Sequence, residues 1–262
     1  MSKFIDRINT YKHYEPLLRQ LIFKDIKLKY RRSFLGYIWS IMNPLLIMII
    51  MVMVFSNMFR FDISNYPVYL IIGQTIFNFV SEATNQAMWS ITGNAALLKK
   101  TYVPKYIFTV SKVTSSFVNT LFALGAMIIV FFVSNVKLNL NMLFIPFVLL
   151  QVYIFCVGLG LLLAQATVFF RDIQYIYGAF LTAWMYLTPI FYPISMLEEW
   201  MAELIITFNP LYGYITQFRM LVLDNVFPPA QMIKAGIIWA IASIMIGTFA
   251  FLKTQDKFIL YI

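Results

Sequence analysis

Glu82 is the acidic residue that the sequence sets well inside an otherwise apolar run, and it carries the clearest chemical consequence. A carboxylate at membrane depth is costly unless it faces a bundle interior or a watery cavity, so it marks a functional position by default. Ser81, Thr84, Asn85 and Gln86 surround it, which makes one face of that stretch polar. Two readings stay open: a wet pathway bordered by Glu82 and Asn85, or a hydrogen-bonded cluster between helices. Other chemistry is poorly supplied. His13 is the one histidine and Cys156 the one cysteine, so neither a histidine-based metal site nor an internal disulfide can be built. No Gly-x-x-x-x-Gly-Lys-Ser/Thr run occurs, so the chain lacks the loop that cradles nucleotide phosphates. A single membrane carboxylate without a second one, or a basic relay, also argues against a proton-coupled pump. The sequence therefore offers no catalytic residue and no metal ligands.

Aromatic residues are the second resource, with 26 Phe, 16 Tyr and 5 Trp. Many belong to the belts that rings form at membrane–water interfaces. Others can line a path, where flat ring faces stack on the C–H surfaces of sugars. Trp39, Phe77, Phe79, Trp89, Tyr186, Phe191 and Tyr192 are the candidates by position, with a belt or core role as the alternative for each.

The elements that must hold these residues follow from composition. The chain is 61% hydrophobic and only 12% charged over 262 residues, about half the charge of an ordinary soluble domain. A helix needs roughly 20 mostly apolar residues to cross a bilayer, because its backbone must satisfy its own polar groups. Six such stretches are predicted, at Ile38–Phe59, Val68–Ile91, Val113–Val133, Leu143–Phe170, Tyr175–Ile194 and Gly236–Leu252. The second is interrupted by its polar residues. Six spans put both ends on one side. That side holds the cations from Lys3 to Arg32, then Lys99, Lys100, Lys105, Lys112, Arg171, Lys253 and Lys257. Arg60, Lys137, Arg219 and Lys234 remain for the other. Short loops rich in Lys and Arg stay inside, so both termini are expected in the cytoplasm. The net charge of +9 is then a topology signal and an anionic-lipid contact, not a nucleic-acid footprint. The first residues mix charges with single apolar groups, and no removable signal peptide is expected.

Four segments outside the spans carry information. In Tyr14–Arg32, Gln20, Lys24, Lys27 and Arg31 share one helical stripe, opposite Leu18, Ile22 and Ile26. Such a helix lies in the interface plane, unless it is a plain basic flank. The loop from Gly93 to Pro104 places Leu97 and Leu98 beside Lys99 and Lys100, and is read as a short helix that docks on a partner or as a solvated loop. The pair Arg171–Asp172 sits at a helix break. The external segment Pro193–Lys234, with Glu198, Glu199 and Glu203 among apolar residues, reads as two short helices dipping into the outer leaflet. Non-spanning helices survive there only where protein or a water-filled cavity covers their ends.

These segments together resemble the permease subunits of ABC-2-type polysaccharide exporters, the family that serves O-antigen, teichoic-acid and related cell-wall glycans. The resemblance rests on Phe23 to Gly36 with Trp39-Ser40 and Asn43-Pro44, on Asn94–Pro104, and on Phe170-Arg171-Asp172-Ile173. It rests also on Thr188-Pro189-Ile190-Phe191-Tyr192-Pro193 and Asn209-Pro210-Leu211-Tyr212, all in the family's order. It implies an all-α integral membrane fold in one transmembrane domain, residues 1–262, with six transmembrane helices. Residues 1–36 would be a cytoplasmic segment with an amphipathic interfacial helix, whose Lys24, Lys27, Arg31 and Arg32 attract a lipid diphosphate. Asn94, Leu97, Leu98, Lys99, Lys100, Tyr102 and Pro104, with Arg171 and Asp172, would couple to the ATPase. External re-entrant gate helices over residues 195–228 would include Glu198, Trp200 and Tyr212. The resemblance further implies a homodimer in the bacterial cell membrane, two copies of a separate ATPase that holds ATP and magnesium, and a glycan on a polyprenyl diphosphate as substrate. No cofactor and no carbohydrate-reading domain are expected on this chain. A membrane enzyme acting on polyprenyl-linked glycans, or a permease of the same superfamily for a drug or lipid, are the alternatives.

Overall fold

The computed structural model describes residues 2–31, 34–58, 63, 65–101 and 103–261, and side chains from residue 14 onward apart from residues 30 and 56–58. Arg32 and Tyr102 lie outside the described residues, as does the side chain of His13. The described residues form helices and connecting turns without a strand. In chain order the helices are α1 (Ser2–Tyr30), α2 (Trp39–Met58), α3 (Tyr66–Met88), the single turn α4 (Ala95–Leu98) and α5 (Tyr106–Val133). They continue with α6 (Ile145–Phe169), α7 (Ile173–Leu187), α8 (Glu199–Phe208), α9 (Pro210–Arg219) and α10 (Ala230–Thr254).

Among the described residues, four stretches are long and apolar enough to cross a membrane: Gly36–Phe55, Tyr106–Val133, Leu140–Phe169 and Ala230–Leu260. The chain is a multi-pass membrane protein. The other two sequence-read spans do not meet that standard, each for its own reason. α3 has the length, 23 residues, but carries Gln74, Asn78, Glu82 and Gln86 along one side. α7 has the apolarity but only 15 residues, a rise of roughly 22 Å against a hydrocarbon core of about 30 Å.

α3, α5 and α6 form the packed centre, and α10 lies along α6 with most of its own surface exposed. Val68, Ile71, Ile72 and Val80 of α3 are wholly buried, although α3 is the most polar of the long helices after α1. It is polar because it is enclosed by protein rather than lipid. α2 is the reverse: apolar throughout yet mostly exposed, with Met42, Leu46, Ile50 and Met53 facing outward. α1 lies against α5 through Leu18, Leu21 and Ile26, which are buried, while Lys24 and Lys27 are exposed. That is the two-faced pattern expected of it. An ion pair between Asp25 and Lys112, 2.8 Å long and with both side chains mostly buried, fastens α1 to α5. Gly36 turns the chain from α1 into α2 at φ +50°, a conformation that costs other residues a Cβ clash.

The closest helix approach is between α6 and α10. A Cβ on Gly247 would sit 2.0 Å from the carbonyl oxygen of Gly158, and one on Gly158 would sit 2.2 Å from the carbonyl carbon of Ser243. Ser243 Oγ donates to the Phe155 carbonyl at 2.9 Å across the same seam. Small residues allow this approach, where dispersion and an interhelical hydrogen bond replace the missing hydrophobic drive. Gly247→Ala should force α6 and α10 apart and destabilise the protein by about 1–3 kcal/mol, as overpacking does. The check is the thermal unfolding midpoint in detergent, which should fall for Gly247→Ala and hold for Gly178→Ala, whose added methyl meets open space.

Candidate functional site

Helical spacing explains how α3 builds a polar wall. Gln74, Asn78 and Glu82 recur every four residues, with Thr75 and Ser81 beside them, so their side chains stack along one face. That face borders a cavity of about 640 Å³ enclosed by α2, α3 and α5. From α2 come Trp39, Ser40, Asn43 and Pro44, and from α5 come Asn119, Thr120 and Ala123. Lys29, at the end of α1, closes one end.

Glu82 is the charged centre of this site. Its Oε1 accepts from Lys29 Nζ at 2.8 Å, from Asn119 Nδ2 at 2.9 Å and from Gln86 Nε2 at 3.4 Å. Three helices thus supply donors to one carboxylate. The side chains of Lys29 and Glu82 are 39% and 30% exposed, so water reaches the pair and its attraction is worth about 0–1 kcal/mol. Its consequence is electrical: the cavity carries no uncompensated charge from Glu82. Asn119 is 7% exposed, and its Oδ1 has no hydrogen-bond partner among the described residues. Of the two readings the sequence left open, the interhelical hydrogen-bonded cluster is present, and it borders a polar cavity.

The aromatic candidates separate. Trp39 borders the cavity, as does Phe79, which packs its ring on Phe117. Phe77 is buried elsewhere in the core, and Asn85 turns back to its own helix, donating to the Ser81 carbonyl at 2.9 Å. Trp89 is exposed at the end of α3. Phe191 stacks on Phe55 with centroids 5.3 Å apart, Tyr192 donates to the Tyr186 carbonyl, and Tyr186 is exposed. These three belong to a cluster at the C-terminal end of α7, not to the cavity wall.

Around α4, Asn94 donates to the Ser90 carbonyl at 2.7 Å and holds the turn. Leu97 is exposed but Leu98 is only 5% exposed and joins the chain's own core, so the apolar pair is divided. Lys99 and Lys100 are exposed, Pro104 half-buried, and Arg171 and Asp172 exposed in the turn before α7. The ammonium of the neighbouring Lys105 donates to the Gln255 carbonyl beneath the C-terminal turn Gln255–Leu260. Burial lowers its pKa, partly offset by the charge of Asp256. Arg31, like Lys24 and Lys27, is exposed. At the start of α8, Trp200 Nε1 donates to Glu198, and both are exposed, while Tyr212 is half-buried in the first turn of α9.

Sequence reasoning missed Arg219, which it counted only as one of a few external cations. The side chain is 7% exposed. Its guanidinium donates to the carbonyls of Pro189 (2.7 Å), Ile190 (3.0 Å) and Tyr69 (3.0 Å), and lies 3.3 Å over the Tyr69 ring. α7 ends at Leu187, and the chain that follows has carbonyls without helical partners. The five donors of a planar guanidinium can meet several of them at once. Asn209 completes the join: it accepts from Trp184 Nε1, donates to Thr188 Oγ1 and caps the first turn of α9. The Thr188–Pro193 and Asn209–Tyr212 stretches are therefore two sides of one contact. Nothing local in the sequence sets Arg219 apart from the other external cations.

The sequence profile described as ABC-2 type transporter matches residues 16–223. An O-antigen export system permease protein of Myxococcus xanthus is 28% identical over 238 residues, 88% of this chain and 92% of its own length. One of Klebsiella pneumoniae is 31% identical over 204 residues, 78% of either chain. A capsule polysaccharide export inner-membrane protein of Neisseria meningitidis is 22% identical over 202 residues, 74% of either chain.

Arg219→Leu should strip donors from three buried carbonyls at about 1–3 kcal/mol for each group left unpaired. Arg219→Lys should recover only part of that loss, since one ammonium cannot reproduce the planar fork. The thermal midpoint in detergent orders them: wild type highest, the lysine variant between, the leucine variant lowest.

Proposed function

Because the chain belongs to the ABC-2 type transporter family, we propose that it is the membrane-spanning permease subunit of an ATP-driven polysaccharide exporter. The observation that carries this reading is the extent of the likeness: relatives named for O-antigen and capsule polysaccharide export align with 74% to 88% of the chain. A charge-compensated cavity walled by amides and hydroxyls supports it, since sugars offer the complementary donors and acceptors.

In this reading α2, α3, α5, α6, α7 and α10 cross the bacterial inner membrane, with both termini in the cytoplasm. α3 is tolerated because neighbouring helices, rather than lipid, pack around it, and the short α7 because Arg219 and Asn209 meet the polar groups of the chain that follows it. α1 lies in the cytoplasmic interface, where Lys24, Lys27 and Arg31 meet the diphosphate of a polyprenyl-linked glycan. Two copies of the chain pair with two copies of a separate ATPase, which holds ATP and magnesium. The turn around α4 seats on that ATPase through Leu97, and the α8–α9 hairpin forms the outer gate. ATP binding and hydrolysis bias two arrangements of the helices that hold the glycan differently, and this chain makes and breaks no covalent bond.

The test is transport in proteoliposomes containing the chain with or without its ATPase. Lipid-linked glycan should cross the membrane only with both proteins and ATP, and Leu97→Asp should abolish crossing without lowering the amount of permease. Crossing without the ATPase, or chemical alteration of the glycan by this chain alone, would overturn the reading.

A further inference from the structure

The turn Gln255–Leu260, which follows α10, sits between two neighbours from other parts of the chain. On one side is Lys105, the residue before α5. Its ammonium donates to the Gln255 carbonyl and lies 5.6 Å from the centre of the Phe258 ring. On the other side is Phe169, the last residue of α6. Its ring meets Phe258 edge-on, with centroids 5.9 Å apart, and Tyr261 in the same way at 4.9 Å. Phe251 of α10 adds a third ring, 5.2 Å from Phe258 and nearly perpendicular to it. Phe258 is wholly buried among them.

Space filling does not account for the lysine. Burial disfavours the Lys105 ammonium, and the charge of Asp256 offsets that only in part. A methionine would occupy the same room without that cost. What the ammonium adds is direction, because a carbonyl and a ring face together fix where the turn sits against the start of α5. The join also has a telling position. Lys105 stands five residues after Lys100, and Phe169 two residues before Arg171. Each therefore adjoins an exposed stretch: Leu97, Lys99 and Lys100 beside α4, and Phe170, Arg171 and Asp172 before α7.

We propose that the turn Gln255–Leu260 is a brace, with Lys105 and Phe258 as its positioning residues, that makes these two exposed stretches move as one body. A push from the ATPase on the α4 turn then reaches α6 and α7 as well as α5. This deepens the export reading and rests on it for the ATPase, but the brace is testable on the chain alone.

The test has two arms. In the first, the full chain in lipid nanodiscs, with Cys156→Ala, carries spin labels at Lys100→Cys and Arg171→Cys. Electron spin resonance gives the distribution of distances between them. The braced chain should give one narrow distribution. Lys105→Met, which keeps an apolar stem but removes donor and charge, should broaden it. A broad distribution in the parent chain, or an unchanged one in Lys105→Met, overturns the brace. In the second arm, the chain and its ATPase share proteoliposomes, and ATP hydrolysed and glycan moved are both measured. Lys105→Met should leave the ATPase bound and hydrolysis near the parent rate, while glycan moved per ATP falls about fivefold or more, the scale of coupling between linked sites. An unchanged yield per ATP overturns the brace. Joining Lys105→Cys to Gln255→Cys with a short bifunctional thiol reagent should restore the yield. If that link stops transport instead, the contact has to open in each cycle and is no brace. Failure of the parent chain to move glycan removes the export reading and leaves the first arm to decide the brace.

Discussion

A carboxylate among membrane helices has to be met by donors from several directions, and Glu82 sets that requirement for the structure around it. Lys29 reaches it from α1, Asn119 from α5 and Gln86 from its own helix. Meeting the requirement fixes where α1 ends, which face of α5 is turned inward, and why α3 is polar where its neighbours are greasy. The space left beside the cluster is a polar cavity, because the residues that compensate Glu82 are flanked by further amides and hydroxyls. The second bond from α1, between Asp25 and Lys112, makes the attachment a two-point one. An amphipathic helix that would otherwise rest on a membrane surface is thereby tied to the helices that enclose the cavity.

The opposite part of the chain solves a different problem with similar means. The backbone leaves helical geometry after Leu187, and its carbonyls need donors where water is scarce. Arg219 and Asn209 provide them, and Gly73 leaves the room: a Cβ there would lie 2.9 Å from the Arg219 side chain. The seam between α6 and α10 is held by glycine contact together with the hydrogen bond from Ser243 to the Phe155 carbonyl.

Much of this was legible from residue order. The apolar runs placed α2 and α6 to within two residues but started α5 and α10 about two turns late, and the polar interruption around Glu82 singled out the residue at the centre of the cavity wall. The two-faced pattern of α1 also survives in the fold. What the sequence could not show was pairing across distance. Lys29 was one cation in a basic flank, Arg219 one external charge, and Asn119 an unremarked amide in a greasy helix. Nothing local distinguishes a lysine that reaches a carboxylate 53 positions away from one that meets solvent. Adjacent residues also parted company for a geometric reason: Leu97 and Leu98 look alike in sequence, but a single helical turn sends one outward and the other into the core.

The central claim is that Lys29 and Glu82 join α1 to the cavity through opposite charge. A double-mutant cycle with Lys29→Glu, Glu82→Lys and the two combined tests it most directly, read as thermal stability of the purified chain at low salt. The account predicts that each reversal alone destabilises and that the swapped pair recovers, with an interaction energy of about 0.5–1 kcal/mol. Additive losses, with the double reversal no better than the sum of the singles, would contradict it.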